Sequence, residues 1–449
     1  MVSDRSFYRT IFTIALPSAF QAFVSFLVVL ADNMMVASLG DTVFAGVVQS
    51  NGATALFIAV ISGLVGGSSV LISQYWGKKD TERIKKIFAI VGCVCLLAAV
   101  IFVALIQIMP TGVLSILTSD ESVIAAAVPY LTVVCWSYIP YAMSAAFAGM
   151  LRSVEVVKVT LYTTIMALFS NIGFNALLIP SMGAKGAALA TVIARVIEFS
   201  LVWYYLFHVQ KKLSIKPKDL LKGERVLFFD YLRYGIPVAV VDTQWAIVGL
   251  LKTSIIGRLG KEMISANSIG MSLMELGTLF TFSLAGGACV VIGKTVGEGD
   301  YDRVREYSGT IQIMFLAIGV VMSALVFLLR VPFASLYGVS PEARKLASEM
   351  IAIAAVSLIG TTYHASCFVG INRGAGDSRF VMVVDMICGW LIVLPVAYIA
   401  AFVLKLPLPW MFLMLRIDQL FKWIIAFFRL RGNAWIRNVT RDGELRVES

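Results

Sequence analysis

Charge is scarce in this sequence. Asp, Glu, Lys and Arg make up 14% of its 449 residues, against roughly a quarter in soluble proteins. Histidine occurs twice, at His208 and His364, in different halves of the chain. No His-Glu-x-x-His is present, so a zinc enzyme would lack its clustered ligands. There is no G-x-x-x-x-G-K-[ST] loop, and the connecting segments are too short for a nucleotide-binding domain. The six cysteines (Cys93, Cys95, Cys135, Cys289, Cys367, Cys388) fall inside apolar blocks without a C-x-x-C pair. They read as small hydrophobic filler rather than as disulfide or metal chemistry. The first apolar block, 10–38, is too long for a signal h-region and lacks a small-residue cleavage site, so it is expected to be the first transmembrane helix rather than a cleavable signal.

What is abundant is apolar length. Hydrophobic residues make up 59% of the chain, in long blocks with short charged punctuation, and about 20 such residues span a bilayer. Twelve spans can be drawn, at 10–38, 44–75, 87–110, 124–148, 156–180, 186–209, 232–259, 264–294, 308–330, 346–371, 379–402 and 406–428. The expected class is an all-α integral membrane protein with twelve transmembrane helices.

The formal net charge of +10 does not point to nucleic acid, because the basic residues alternate between loops. About 26 Lys/Arg fall on one side, among them Lys78, Arg83, Lys86, Arg152, Lys211, Lys222, Arg303, Arg379, Arg429 and Arg446. About seven fall on the other: Lys185, Arg258, Lys261, Arg330, Arg344, Lys345 and Lys405. The positive-inside rule then makes both termini and the basic loops cytoplasmic. The expected location is a bacterial or archaeal cytoplasmic (inner) membrane.

The basic stretch 210–230 divides the chain into halves: a first lobe at 1–209, the inter-lobe loop, a second lobe at 231–428, and a cytoplasmic tail at 429–449. Sliding the second half onto the first aligns them without gaps at a shift of 220 residues. Pro17 meets Pro237, Leu39-Gly40 meets Leu259-Gly260, and Gly66-Gly67 meets Gly286-Gly287; Gly77, Asp80 and Arg83 meet Gly297, Asp300 and Arg303. Of the 70 positions from 17 to 86, 15 are identical. Gly149 and Arg152 meet Gly370 and Arg373 at a shift of 221. Six spans per half give a parallel repeat, so two pseudo-symmetric six-helix lobes are expected, an arrangement typical of transporters.

Ionisable groups at membrane depth cost several kcal/mol, about 2.5–3.5 on insertion scales, so each needs a reason. Arg195 with Glu198, and Asp418 with Lys422, have the spacing of local ion pairs and read as structural. Asp32 has no basic residue within a helical turn and follows Pro17, whose ring removes a backbone hydrogen bond and permits a kink. It can exchange a proton or supply charge for Na⁺, or simply make a hydrogen bond between helices. Asn171 and Asn175 lie one turn apart on one face and can ligate a cation or join two helices. Lys252 occupies the repeat position of Asp32. Gln21, Asp242, Gln244, Glu275 and His364 are the candidate substrate contacts. Glu275, with no opposite charge within a turn, would attract organic cations, while a lone histidine such as His364 is more often a hydrogen-bonded core residue.

The segment ALPSAFQAFVSFLVVLADNMMVASLG (15–40) resembles the first helix of multidrug and toxic compound extrusion (MATE) transporters. QYWGKKDTERIKK (74–86) and its repeat GKTVGEGDYDRVRE (293–306) resemble their loops after the second and eighth helices. GINRGAGDSR (370–379) and MGAKGAALATVIAR (182–195) are similar to segments after the tenth helix and at the start of the sixth. The likeness covers nearly the whole chain. It implies a V-shaped pair of six-helix lobes that exchange H⁺ or Na⁺ for small, often cationic organic compounds by alternating access. It also implies a cation-coupling site at Asp32, Asn171, Asn175 and Thr191, with hinges at Pro17 and its counterpart Pro237. Any Na⁺ would sit at Asp32, Asn171 and Asn175, with no other metal or cofactor. An Asp would be usual where this chain has Asn175, which leaves Asp32 as the only acid and leans toward protons, or toward a site around Asp242 and Glu275. The expected partners are organic cations and membrane lipids, without nucleic acid, and the chain is expected to work as a monomer. The competing reading is a flippase for lipid-linked oligosaccharides or lipids, for which Lys252 and Arg416 would have to hold a pyrophosphate.

Overall fold

The computed structural model describes residues 2, 4–118, 120–337 and 340–441. Arg446 and the side chain of Lys261 fall outside the described residues. Where described, the chain is helical without strands, as a bilayer demands of backbone whose polar groups must be satisfied internally. Among the described residues, eleven helices are long and apolar enough to cross a membrane. Spans 1 to 6 are Arg5–Ala37, Asp41–Gly77, Thr81–Ile108, Glu121–Ser153, Lys158–Met182 and Ala184–Val209. Spans 7 to 11 are Ile236–Gly257, Lys261–Glu298, Tyr301–Ser335, Pro341–Asn372 and Ser378–Val403.

The twelfth apolar stretch is present in pieces. Leu408–Met414 and Lys422–Arg431 are α-helical, and a 3₁₀ turn, Ile417–Leu420, joins them. The break coincides with Arg416, Asp418 and Lys422: Arg416 reaches Ser357 of span 10 and Lys422 reaches Asp385 of span 11, while Asp418 bonds to Gln419 and Lys422 within the stretch. Pro17 sits inside span 1, whereas Pro237 is the second residue of span 7, where its missing N–H has no helical partner to lose.

The repeat recurs in the local chemistry. Gly40 and Gly260 precede spans 2 and 8 with φ of 103° and 108°, a conformation that favours glycine. Asp80 and Asp300 cap spans 3 and 9 by accepting from the backbone N–H of Arg83 and Arg303, at 3.0 and 3.1 Å. Asp120 and Ser340, also 220 residues apart, cap spans 4 and 10.

The chain forms two compact units. The first runs from Pro17 to Asp242; the second holds the residues up to Leu16 and those from Thr243 on. In the first unit, Tyr231 Oη donates to Leu64 O at 2.9 Å, and Gly67 lies so close to Gly235 that an added Cβ would stand 2.3 Å from its carbonyl oxygen. In the second, Val2 N donates to Thr310 Oγ1 at 3.0 Å, and Gly287 lies against Ile11. Each unit thus packs the start of one half's first span against the glycine pair of the other half's second span. Lipid gives apolar helix faces no reason to leave it, so helix association relies on such close approach of small residues.

Gly67→Ala should be strongly destabilising, since the clash is with backbone that cannot rotate away. Overpacking of this kind costs about 1–3 kcal/mol or more. Gly286→Ala, with nothing within 4 Å of its new Cβ, should be nearly neutral. Thermal unfolding of the purified variants in detergent checks the contrast.

A polar relay and cavity in the first unit

Span 5 brings Asn171 and Asn175 to one buried face, and span 1 delivers Asp32 to it. Asn175 Nδ2 donates to Asp32 Oδ1 at 2.5 Å and reaches Asn171 Oδ1 at 3.3 Å. Asn171 Nδ2 donates to Thr191 Oγ1 of span 6 at 3.4 Å, and that hydroxyl donates to Ala187 O at 3.1 Å. Asp32, Asn171, Asn175 and Thr191 therefore form one chain of contacts across three spans. Asn175 Oδ1 is buried and receives no hydrogen bond, leaving an acceptor beside the carboxylate without a donor.

One turn along span 6, Arg195 Nη1 pairs with Glu198 Oε2 at 2.7 Å, the local pair that the spacing suggests. Glu198 Oε1 accepts from Thr164 Oγ1 at 3.1 Å, and Thr164 accepts from Gln21 Nε2 at 3.2 Å. Arg195 also lies 5.1 Å from the centre of the Tyr141 ring. Gln21 thus belongs to this second polar group, one turn from the relay.

Asp32, Asn171, Thr191 and Arg195 line a cavity of about 100 Å³. That volume suits water or a partly hydrated ion and is far below the roughly 300 Å³ at which drug-sized pockets begin. Aromatic residues complete its lining: Phe57, Tyr130, Tyr138 and Tyr141, with Phe57 and Tyr138 stacked at 4.2 Å and Tyr138 Oη 2.9 Å from Thr54 Oγ1. Sequence reading missed these tyrosines. The available signal was their spacing, which sets Tyr130, Tyr138 and Tyr141 toward one side of span 4.

The other candidates are placed elsewhere. Asp242 lies in the first unit against Gly63, whose added Cβ would come 3.2 Å from Asp242 Cβ. Gln244 is buried in the second unit and donates from Nε2 to Asp385 O at 3.4 Å. Glu275 is exposed on span 8. His364 Nδ1 lies 3.2 Å from Gly360 O, and its ring stands edge-on to Phe368. The local pair of Lys422 with Asp418 is present at 3.4 Å, and Lys422 also makes a shorter contact that the spacing did not suggest, to Asp385 Oδ1 of span 11 at 2.5 Å.

A family model described as MatE matches residues 17–177 and 237–399 of the chain. An uncharacterized transporter of Bacillus subtilis, YisQ, is 25% identical over 420 residues, 91% of this chain and 90% of that protein. A probable multidrug resistance protein NorM of Streptococcus pneumoniae is 22% identical over 393 residues, 85% of each chain. The crystal structure of MATE in complex with MaL6 matches the fold with a TM-score of 0.86 at 19% identity, covering 94% of this chain and 95% of that one.

Removing one partner of the Arg195–Glu198 pair should leave an uncompensated charge at membrane depth. Arg195→Met is expected to cost about 3–5 kcal/mol, and the double variant Arg195→Met/Glu198→Gln to regain most of it. Denaturation midpoints of the three proteins decide this. Equal stability of the single and double variants would show that Glu198 is not left uncompensated when Arg195 is removed.

Proposed function

The chain belongs to the MatE family of membrane transporters, and from that premise we propose that it is a secondary active exporter of small, often cationic organic compounds, exchanged for H⁺ or Na⁺ by alternating access. Relatives named as multidrug resistance proteins support the substrate class. The observation that carries the coupling is the placement of Asp32. It is a carboxylate at membrane depth whose nearest compensation is a neutral amide, Asn175, rather than a basic residue. Either a proton or Na⁺ would supply the missing positive charge.

For Na⁺, the relay offers oxygen ligands beside its amide nitrogens. Asp32 contributes charge, and Asn171, Asn175 and Thr191 contribute neutral oxygens, of which Asn175 Oδ1 has no donor. For H⁺, Asp32 suffices alone. Each charge moved across 100 mV contributes about 2.3 kcal/mol, so one ion per cycle can drive appreciable accumulation. Gln21, Asp242, Gln244, Glu275 and His364 are proposed to meet substrate, with Pro17 and Pro237 as hinges. We place the working protein in the cytoplasmic membrane as a monomer, with both termini inside and no cofactor beyond the coupling ion.

The test is efflux of a fluorescent organic cation from proteoliposomes under an imposed pH or Na⁺ gradient. Wild type should respond to one gradient, and Asp32→Asn should lose at least tenfold of that response. Equal gradient-driven transport by the variant would remove Asp32 from the mechanism. Asn175→Asp, which adds a second carboxylate to the relay, should raise the response to Na⁺ relative to H⁺ in the same assay. An unchanged ratio would argue against Asn175 as an ion ligand.

A further inference from the structure

The second unit carries five charged side chains at membrane depth that the coupling site does not use. They are Lys252 on span 7, Asp385 on span 11, and Arg416, Asp418 and Lys422 in the broken twelfth stretch. Lys422 is 1% exposed and shared by both acids. Asp418 also accepts from Gln419 Nε2 at 2.6 Å, and Gln419 Oε1 accepts from Thr361 Oγ1 at 2.9 Å. That part of the cluster is sealed, with both acids on Lys422, while Asp418 Oδ1 is buried without a hydrogen-bond donor.

Lys252 and Arg416 are not sealed. Among the described residues, no carboxylate lies within 4.0 Å of either, and both are only half-buried. The charges acting on Lys252 are Asp418, Arg416 and Lys422, so the two unpaired cations share one electrostatic neighbourhood. Lys252 Nζ sits 5.4 Å from the centre of the Trp245 ring, and Lys422 Nζ 4.5 Å from the same ring. Arg416 uses Nε on Ser357 Oγ at 3.0 Å and lies 5.8 Å from the Phe412 ring. Its two terminal nitrogens are left for a planar acceptor. Three cations against two carboxylates leave one positive charge uncompensated, and His364, whose neighbours are the same Lys422, Asp385 and Asp418, could only add to it.

The repeat makes the contrast sharp. The register that aligns Gly40 with Gly260 and Asp80 with Asp300 sets Lys252 at the position of Asp32. The 221-residue register of Arg152 and Arg373 likewise sets Arg416 at Arg195 and Gln419 at Glu198. Where the first unit has one arginine and two acids, the second has an arginine, a lysine and a neutral amide. Two π-helical turns adjoin the cluster, Ser366–Asn372 with Phe368 5.9 Å from Lys422, and Ile387–Val393 just after Asp385. Such turns occur frequently at functional sites.

We propose that Lys252 and Arg416 form a receptor for one anionic oxyacid group, the carboxylate of an aromatic organic acid or zwitterion, with Trp245 and Phe412 as its aromatic neighbours. This rests on the exporter reading and widens its substrates from cations to carboxylates. A phospholipid phosphate offers the same chemistry, so the test separates the two sources. The probes are 1-naphthoate and 1-naphthylmethylammonium, one ring with opposite charges, titrated against purified protein in phosphatidylcholine nanodiscs.

Naphthoate should bind wild type, and Lys252→Met and Arg416→Met should each weaken it at least tenfold without weakening the ammonium probe. Lys252→Arg should stay within about threefold of wild type, as expected for a charge contact. Lys252→Gln replaces the methionine variant if that one does not fold. No naphthoate binding to wild type, or unchanged affinity in folded Lys252 and Arg416 variants, would overturn the site. Displacement of naphthoate by phosphatidylglycerol in the nanodisc would assign the receptor to lipid and overturn the substrate assignment. Loss of the exporter reading in the cation-efflux assay, with naphthoate binding intact, is thus distinguishable from failure of this site.

Discussion

Every ionisable group at membrane depth must find its compensation within the protein, because the hydrocarbon offers none. This rule sorts the charges of the chain into two kinds. Lys422 has two carboxylates, and Arg195 has Glu198 and a tyrosine ring; these groups are self-contained and hold spans together. Asp32 has an amide for its contact, and Lys252 and Arg416 have aromatic rings and a hydroxyl. An incompletely compensated charge in a low-dielectric setting is a standing affinity for a counter-charge. The same accounting governs the backbone: the chain departs from regular helix in the twelfth stretch, where Asp418 and Lys422 are almost fully buried in protein.

Duplication supplies the scaffold on which these charges stand, and the scaffold has changed less than the sites. The aspartate caps of spans 3 and 9, the positive-φ glycines before spans 2 and 8, and the glycine approaches at Gly67 and Gly287 recur at one register. Each is a backbone requirement with few chemical solutions: only a short oxygen-bearing side chain caps well, and only a missing Cβ lets two backbones touch. Asp32 and Lys252 face no such restriction. Their helix tolerates either sign so long as something compensates it, so the two halves were free to acquire opposite polarity.

Features set by composition and short-range spacing were therefore legible in the sequence. Apolar length marked the spans, the shared register marked the repeat, and a four-residue step put Asn171 and Asn175 on one face. Their assembly with Asp32 and Thr191 came through family resemblance, because nothing in the spacing says which spans meet. The same blindness explains Lys422, for which the residue four positions away looked like the partner while a closer one, Asp385, stands on span 11. It also explains the tyrosines lining the cavity, since a buried tyrosine in an apolar helix reads like any core aromatic until the cavity beside it is seen. The exchange of first-span beginnings between the units was hidden for another reason: hydropathy records that span 1 is continuous and is silent on where its packing partners change.

The relay also constrains how ion binding can be felt. Asp32 is on span 1, while Asn171 and Asn175 are on span 5 and Thr191 is on span 6, so the Asp32–Asn175 contact ties span 1 to the rest of the relay. Gln21 to Thr164 is a second tie, nearer Pro17. On the proposed reading, a proton or Na⁺ on Asp32 lowers the carboxylate's demand for the Asn175 amide, and Asn175 already has an unpaired oxygen with which to bond differently. The ion then acts on the span 1–span 5 contact directly rather than through a distant relay. Pro17, inside span 1 and lacking one backbone hydrogen bond, is the point at which that helix yields with least loss. The first unit is thereby suited to convert neutralisation of one carboxylate into movement of one helix, whereas the second unit, with Lys422 locked by two acids, has its buried charge fixed and its free charge positive.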